Sequence, residues 1–370
     1  MELACTKKLL DYLGVKAEKV SEDMDPLFGW VANLLIINRR KTLVAVHTAS
    51  RSMFVLYGLT AKQIPQLQNL VIQGIRTLLE SECVRPEIIE KYLNDCGREL
   101  TIRANSSKSA VAQCNKACQW VKEFSKIFVV GDMFQKRGLP WLNSDILAGH
   151  KYSFAYEVLL NMLKERYGGD ILSGRMLELE VELDLDTPCK RVVWVPANMN
   201  FYQLHLVLQG CFEWKDYHLH QFVTKRDIYE RPSEIICLDE VEDWGDLFEI
   251  NRKESLMTTL EEEFRIYPQI DYEYDFGDGW VHTIRLKRVI EDCPRPWSSC
   301  VLAIGDAPME DCGGPHGFAQ VMEALNDSSH PDHQETLDWV SGMWWLPLDV
   351  DRINWRLRSI HRRAITFRYD

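Results

Sequence analysis

The sequence predicts an α+β protein of two domains, and three observations predict it. Short apolar runs bounded by polar breaks read as strands, while other segments carry the three-to-four-residue apolar spacing of helices. At 370 residues the chain exceeds the usual range of one hydrophobic core. The segment ERYGGDILSGR, Glu165 to Arg175, sets three glycines between a helical and a strand-like run. It places the boundary at residue 170, giving domains 1–170 and 171–370.

The first domain opens with an amphipathic helix, KKLLDYLGV. Within Trp30 to Leu59 the runs NLLIINR, TLVAVHT and MFVLYGL predict three strands of one sheet. Three helical segments follow, beginning at AKQIPQLQNL, SKSAVAQCNK and SFAYEVLLNM. Cys114 and Cys118, one helical turn apart, read as a packed face rather than a redox pair. Arg39, Arg40 and Lys41 sit at an apparent hairpin tip, either as a solvated basic turn or as a contact for phosphate or nucleic acid.

In the second domain RVVWVPA predicts a strand ended by Pro196. Asn200 and Gln203 have the spacing of a capping box opening a helix from Phe201 to about Phe212, with Phe201, Leu204, Leu208 and Cys211 on one stripe. YHLHQFVT predicts a strand with His218, His220 and Phe222 on one face. DYEYDFGDGWVHTIRL predicts a hairpin around Gly277-Asp278-Gly279, with His282 on its apolar stripe and Glu273 and Asp275 on the opposite face from Tyr274. GPHGFAQVMEALND and QETLDWV predict helices. The tail from Arg352 interleaves arginines with Trp355, Phe367 and Tyr369, which suits either nucleic acid or packing back onto the acidic domain.

Composition narrows the function classes. Hydrophobic residues make up 46% and charged residues 26%, ordinary values for a soluble globular protein. No apolar run reaches the ~18–20 residues that span a bilayer. The N-terminal stretch lacks a secretory pattern, and eleven cysteines at irregular spacing read as reduced thiols. The expectation is a cytoplasmic protein with no membrane partner. Residues 1–170 carry 23 Lys and Arg against 18 Asp and Glu; the remainder carries 20 against 37, a net of −17. That asymmetry disfavours broad contact with phosphate backbones in the second domain and suits a protein partner, a cation or solubility. The acidic stretch with Glu240, Glu242, Asp243 and Trp244 is the candidate binding surface.

Two constellations carry the chemistry. His218 and His220, with His282 and a carboxylate from Asp275, Asp278, Glu310 or Asp311, have the composition of a site for Zn or another divalent transition metal. Such a site could activate water, with one of these carboxylates as general base. The alternative is a packed corner, with satisfied core histidines and Asp278 bonding turn amides. Cys293, Cys300, Cys312 and His316 are spaced too widely for an ordinary zinc knuckle. There is no Gly-x-Ser-x-Gly elbow, P-loop or dinucleotide fingerprint.

The first half resembles an uncharacterised bacterial domain family through Trp30, Ala32, Asn33, Leu34, Asn38, Arg39, Arg40 and Lys41. Several co-ordered motifs resemble the plasmid pRiA4b ORF-3-like family over roughly residues 178 to 350. They are Pro196; Phe201, Leu204 and His205; Gln209; Trp214; His218 to Phe222; Tyr274 to Asp278 with Trp280 and His282; Glu310 to Gly314; and His330 to His333. That resemblance implies an accessory or passenger protein of plasmids and transposable elements, and implies no fixed chemistry. Two functional expectations follow. The first is a mobile-element accessory protein that binds a protein or nucleoprotein, for instance inhibiting a DNA-handling or defence enzyme through its acidic surface. The second is a metal-dependent hydrolase or nuclease built on the histidines.

Overall fold

The apolar runs and glycine punctuation fold into two compact units, Met1–Ser173 and Gly174–His361. The structure, a computed structural model, describes the chain apart from residues 20–24, 98, 106, 137, 145–153, 227, 228, 230, 239–250, 344, 359 and 361–370.

In the first unit the chain runs β1 (Glu2–Cys5), α1 (Lys7–Leu13), β2 (Trp30–Ile37), β3 (Arg40–His47), β4 (Met53–Tyr57), α2 (Leu67–Ser81), α3 (Pro86–Asp95), β5 (Thr101–Ala104), α4 (Lys108–Glu123), α5 (Leu139–Ser144) and α6 (Ala155–Tyr167). The sheet order is β4-β3-β2-β1-β5. The three predicted strands form its antiparallel part. The other two strands differ: β1 lies parallel to both β2 and the edge strand β5. Both are four residues long, too short to show a period, and neither was anticipated. Residues on both faces of β3 and β4 are buried, so these strands read as continuous apolar runs. Gly74 matters to this packing, because a Cβ there would enter the Phe54 ring. Ile37 pairs with Arg40, and Asn38 and Arg39 take φ of 47° and 62°, the backbone of a two-residue hairpin turn.

The second unit runs β6 (Gly174–Leu183), β7 (Cys189–Pro196), α7 (Phe201–Phe212), β8 (His220–Arg226), β9 (Pro232–Cys237), β10 (Asn251–Glu254), α8 (Leu260–Phe264), β11 (Gln269–Tyr274), β12 (Trp280–Cys293), β13 (Ser299–Ile304), α9 (Gly314–Asn326), α10 (His333–Gly342) and α11 (Val350–Leu357). Its sheet has the order β10-β9-β8-β11-β12-β6-β7-β13, antiparallel except for the parallel β9–β10 pair. The capping box is present: Gln203 N–H donates to Asn200 Oδ1 at 2.8 Å, and Asn200 N–H to Gln203 Oε1 at 3.0 Å. Phe201, Leu204, Leu208 and Cys211 are buried as the stripe predicts. Both units are therefore α+β. The start of the basic tail forms α11 and packs within its unit, with Arg352 bidentate on Glu213 at 2.6 and 2.7 Å. No helix among the described residues is long and apolar enough to cross a membrane.

Candidate metal centre

The site is assembled at one end of β8 and β11. Tyr274 pairs with His220 on one side and with Trp280 on the other, while Tyr272 pairs with Phe222 and with His282. Directly paired residues share a sheet face, so these six side chains line one buried surface. His220 and His282 therefore do share a face, but β11 lies between their strands. Two strand spacings separate β8 from β12 by about 9.5 Å, and the Tyr272 ring fills the gap, 6.0 Å from His220 and 5.3 Å from His282. Zinc holds each nitrogen at about 2 Å. One ion cannot bridge that interval.

The expected set of His218, His220 and His282 is thus not brought together. His282 is a core residue: its ring stands edge-on to Phe212 at 4.4 Å and to Trp214 at 5.3 Å. Burial pushes its pKa down to about 3, against a contact with the Tyr272 backbone that works the other way, and neither ring nitrogen makes a well-aligned hydrogen bond among the described residues. His218 lies before the first residue of β8, so the i, i+2 geometry of a strand does not apply to it.

The two remaining histidines fall into separate groups. His220 stacks on His205 with ring centroids 3.5 Å apart and planes 2° apart. His205 is held at both nitrogens, Nδ1 at 2.7 Å from the Tyr272 hydroxyl and Nε2 at 2.8 Å from Asp216 Oδ1. Gln209 Nε2 donates to the same hydroxyl at 3.2 Å. The hydroxyl proton is then directed to Nδ1, which puts the histidine proton on Nε2, facing Asp216. Burial holds Tyr272 protonated by raising its pKa, and burial followed by the neighbouring His205 drives the His220 pKa down. In this group His205 is held at both nitrogens, while His220 is held by stacking and its Nε2 makes no hydrogen bond among the described residues. Sequence reasoning missed Asp216 altogether and met His205 only as a family motif residue.

The second group is open. His218 Nε2 lies 3.2 Å from Asp311 Oδ1 and 3.5 Å from Asp275 Oδ2, but the angles form no hydrogen bond and the nitrogen is otherwise unpartnered. Asp275 does not continue the β11 alternation. The strand ends at Tyr274, and Asp275 takes φ of 54°. Its Oδ1 accepts from the N–H of Gly277 at 3.0 Å and of Asp278 at 3.3 Å. That turn aims Oδ2 at His218. Asp311 has φ of 60° and a side chain 60% exposed. Two non-glycine residues in the left-handed region, converging on one imidazole, are the kind of strain that accumulates at functional sites.

Other candidate carboxylates hold the scaffold. Glu310 uses both oxygens, accepting from the Tyr274 hydroxyl at 2.7 Å and from Lys215 N–H at 3.1 Å. Asp278 Oδ2 accepts from Gly313 N–H at 3.1 Å. A Cβ on Gly314, at φ +72°, would strike the Asp278 carbonyl oxygen, so this glycine permits the hairpin turn to meet the start of α9. The contact brings Asp311 to Asp275. At the other end of the chain, the Lys41 ammonium sits 3.9 Å from the Tyr12 ring centroid, and the Arg40 guanidinium 6.0 Å from that of Tyr57. Arg39 occupies the exposed turn. Glu240, Glu242, Asp243 and Trp244 lie outside the described residues. Cys293, Cys300, Cys312 and His316 form no metal-type group among the described residues.

The motifs that build this corner are those of a known family. Residues 175–355 match the plasmid pRiA4b ORF-3-like protein family, and residues 2–158 match a domain of unknown function, DUF6933. The uncharacterized protein y4hQ of Sinorhizobium fredii is 34% identical over 166 residues, covering 44% of this chain and 80% of its own length. The crystal structure of a protein of unknown function, MM3350 from Methanosarcina mazei Go1, aligns at 24% identity, covering 48% of this chain and 93% of that one, with a TM-score of 0.39. Through residues 175–355 the chain belongs to the plasmid pRiA4b ORF-3-like family.

Proposed function

We propose that the second unit is a divalent-metal-binding module, with His218 Nε2, Asp275 Oδ2 and Asp311 Oδ1 as ligands, and that it acts as a metal-dependent hydrolase. The observation that carries the reading is the convergence of three ligand-type atoms, mutually within 4.8 Å, around an imidazole nitrogen with no other partner. One imidazole and two carboxylates suit Zn²⁺ or Mn²⁺ and leave coordination positions for water and substrate. A bound ion lowers the pKa of its water from 15.7 to about 7, which supplies a nucleophile at neutral pH. The exposed Asp311 side chain leaves the site open to a phosphoester.

The test is calorimetric titration of the untagged chain with Zn²⁺ and with Mn²⁺, beside His218→Ala, Asp275→Asn and His220→Ala. About one ion per chain is expected, with affinity falling about 10- to 100-fold in the first two variants and unchanged in the third. Equal binding by His218→Ala would remove the site. Turnover of bis-p-nitrophenyl phosphate by the metal-loaded chain, lost in His218→Ala, tests the hydrolase step.

The charge asymmetry favours a second reading. A net of −17 beyond residue 170 suits a mobile-element accessory protein that engages a basic protein or nucleoprotein. It would do so stoichiometrically, which separates it from turnover.

A further inference from the structure

A cavity of about 290 Å³ opens in the second unit, and one wall contains a charge where the fold calls for an apolar residue. Along β7, Cys189, Arg191, Val193 and Val195 point to the buried face. Arg191 is 1% exposed and remains charged at any ordinary pH. Its Nε donates to Cys211 O at 3.1 Å, and its Nη1 to Lys190 O, Ile304 O and Gly305 O at 2.9 to 3.0 Å. Every one of these acceptors is a neutral carbonyl, and Nη2 takes part in none of the bonds. The Phe212 ring, 5.1 Å away, adds a cation–π contact. No carboxylate lies within ion-pair distance among the described residues. A buried charge without a counter-charge is costly, and this one lines a cavity.

The rest of the lining specifies what could fill it. Lys215 and Arg356 bring two more cations, Glu213 and Glu310 two anions. Glu213 is already paired with Arg352 and, at 3.7 Å, with Arg356, and Glu310 with a hydroxyl and an amide. The remaining balance is positive, inside an acidic half of the chain. Trp214, Trp345, Leu346 and Leu348 give the cavity an apolar side. Both indoles are fixed: Trp214 Nε1 donates to Pro308 O and Trp345 Nε1 to Ala307 O, each at 2.8 Å. A shaped apolar wall opposite a single buried cation is the form of a small-molecule site. The two carboxylates in the lining repel a dianion such as phosphate more than a monoanion.

We infer that this cavity binds a small organic acid, with its carboxylate on Arg191 and its apolar body against Trp214 and Trp345. The inference is independent of the metal at His218. The experiment is isothermal titration of the full chain, in EDTA, with benzoate, indole-3-acetate and hexanoate, beside the matching amides and inorganic phosphate. At least one acid is expected to bind at low millimolar affinity or better, in keeping with its size. The amide should bind about 10- to 100-fold more weakly, the loss of one charge-assisted contact. Arg191→Met should weaken the acid by the same factor. Arg191→Met takes the donor from the carbonyls of Cys211, Lys190, Ile304 and Gly305, so its fold is checked by circular dichroism, and Leu346→Trp decides the outcome where Arg191→Met does not fold. Leu346→Trp, at a position 47% exposed, fills the cavity without touching Arg191 and should also abolish binding. The inference is overturned if no acid binds below about 10 mM, if an amide or phosphate binds as well as the acid, or if Leu346→Trp keeps full affinity.

Discussion

Both sheets bury a tryptophan and a histidine on neighbouring positions, and they treat the pair differently. In the first unit Trp30 stands edge-on to His47 at 5.1 Å, and every polar atom is used. Trp30 Nε1 donates to the Tyr92 hydroxyl at 3.1 Å, while His47 meets Ser50 Oγ and Leu27 O, each at 2.9 Å. In the second unit Trp280 Nε1, both nitrogens of His282 and Nε2 of His220 make no well-aligned hydrogen bond among the described residues. Each unpaired buried group costs about 1–3 kcal/mol. These atoms gather around the rings of Tyr272, Tyr274 and Trp214. The Trp30–His47 pair is fully bonded; the Trp280–His282 pair is not.

The comparison breaks most easily at the two core histidines. His47→Met leaves the Ser50 N–H without its acceptor, while the Leu27 carbonyl keeps the Tyr92 hydroxyl and Ser50 Oγ keeps Ser52, and should cost about 1–3 kcal/mol. His282→Met replaces a ring with no well-aligned hydrogen bond by an apolar side chain of similar volume and should be neutral or stabilising, within about 1.5 kcal/mol. Hydrogen exchange read on peptides from each sheet measures both. Equal losses would mean that His282 has a partner in solution.

Acid sharpens the contrast. Burial lowers His47 to about 4 and His282 to about 3, and His220 also lies well below its ordinary value. For such groups the unfolded chain binds more protons, so stability is fully present above about pH 6.5 and falls as pH drops toward the folded values. Each histidine removes about 1.4 kcal/mol per pH unit. Between about pH 6.5 and 5, before carboxylates titrate, the second unit should lose protection about twice as steeply as the first. Identical slopes would dissolve the distinction.

The smallest effect separates function from stability within the second unit. Asp311 adopts φ of 60°, and its only ion-pair partner among the described residues is His218. Asp311→Gly relieves the left-handed backbone and should change stability by less than about 1 kcal/mol, toward greater stability. Zn²⁺ affinity should nevertheless fall. Chemical denaturation and metal titration on the same variant give both numbers. A clear loss of stability would make Asp311 a scaffold residue like Glu310.

Much of the fold was legible along the chain. The runs ending at Ile37, His47 and Tyr57 carried their strand pattern locally, as did the Asn200–Gln203 box, the stripe of α7 and the glycine-led start of α9. Hydrophobic period and capping chemistry are properties of neighbours in sequence, so one sequence suffices to read them. Four-residue strands such as β1 and β5 hold too few residues for a period, and only pairing reveals them.

The site was legible as an inventory and not as an arrangement. Histidines and carboxylates of the right types were visible at 218, 220, 275 and 311, and the charge imbalance between the halves was fixed by composition. Alternation put His220 with Phe222 and His282 with Trp280, and pairing through β11 puts the two histidines on one face. Only tertiary structure decided that β11 would lie between them, that His205 would take His220 as its stacking partner, and that Asp275 would leave the strand for the left-handed region. The convergence of His218 with Asp311, 93 positions apart, depends on the contact between Asp278 and Gly313-Gly314. Which strand inserts between two others, and which turn meets which helix, are set by the burial of whole faces. That energy belongs to no single segment, so no segment records it.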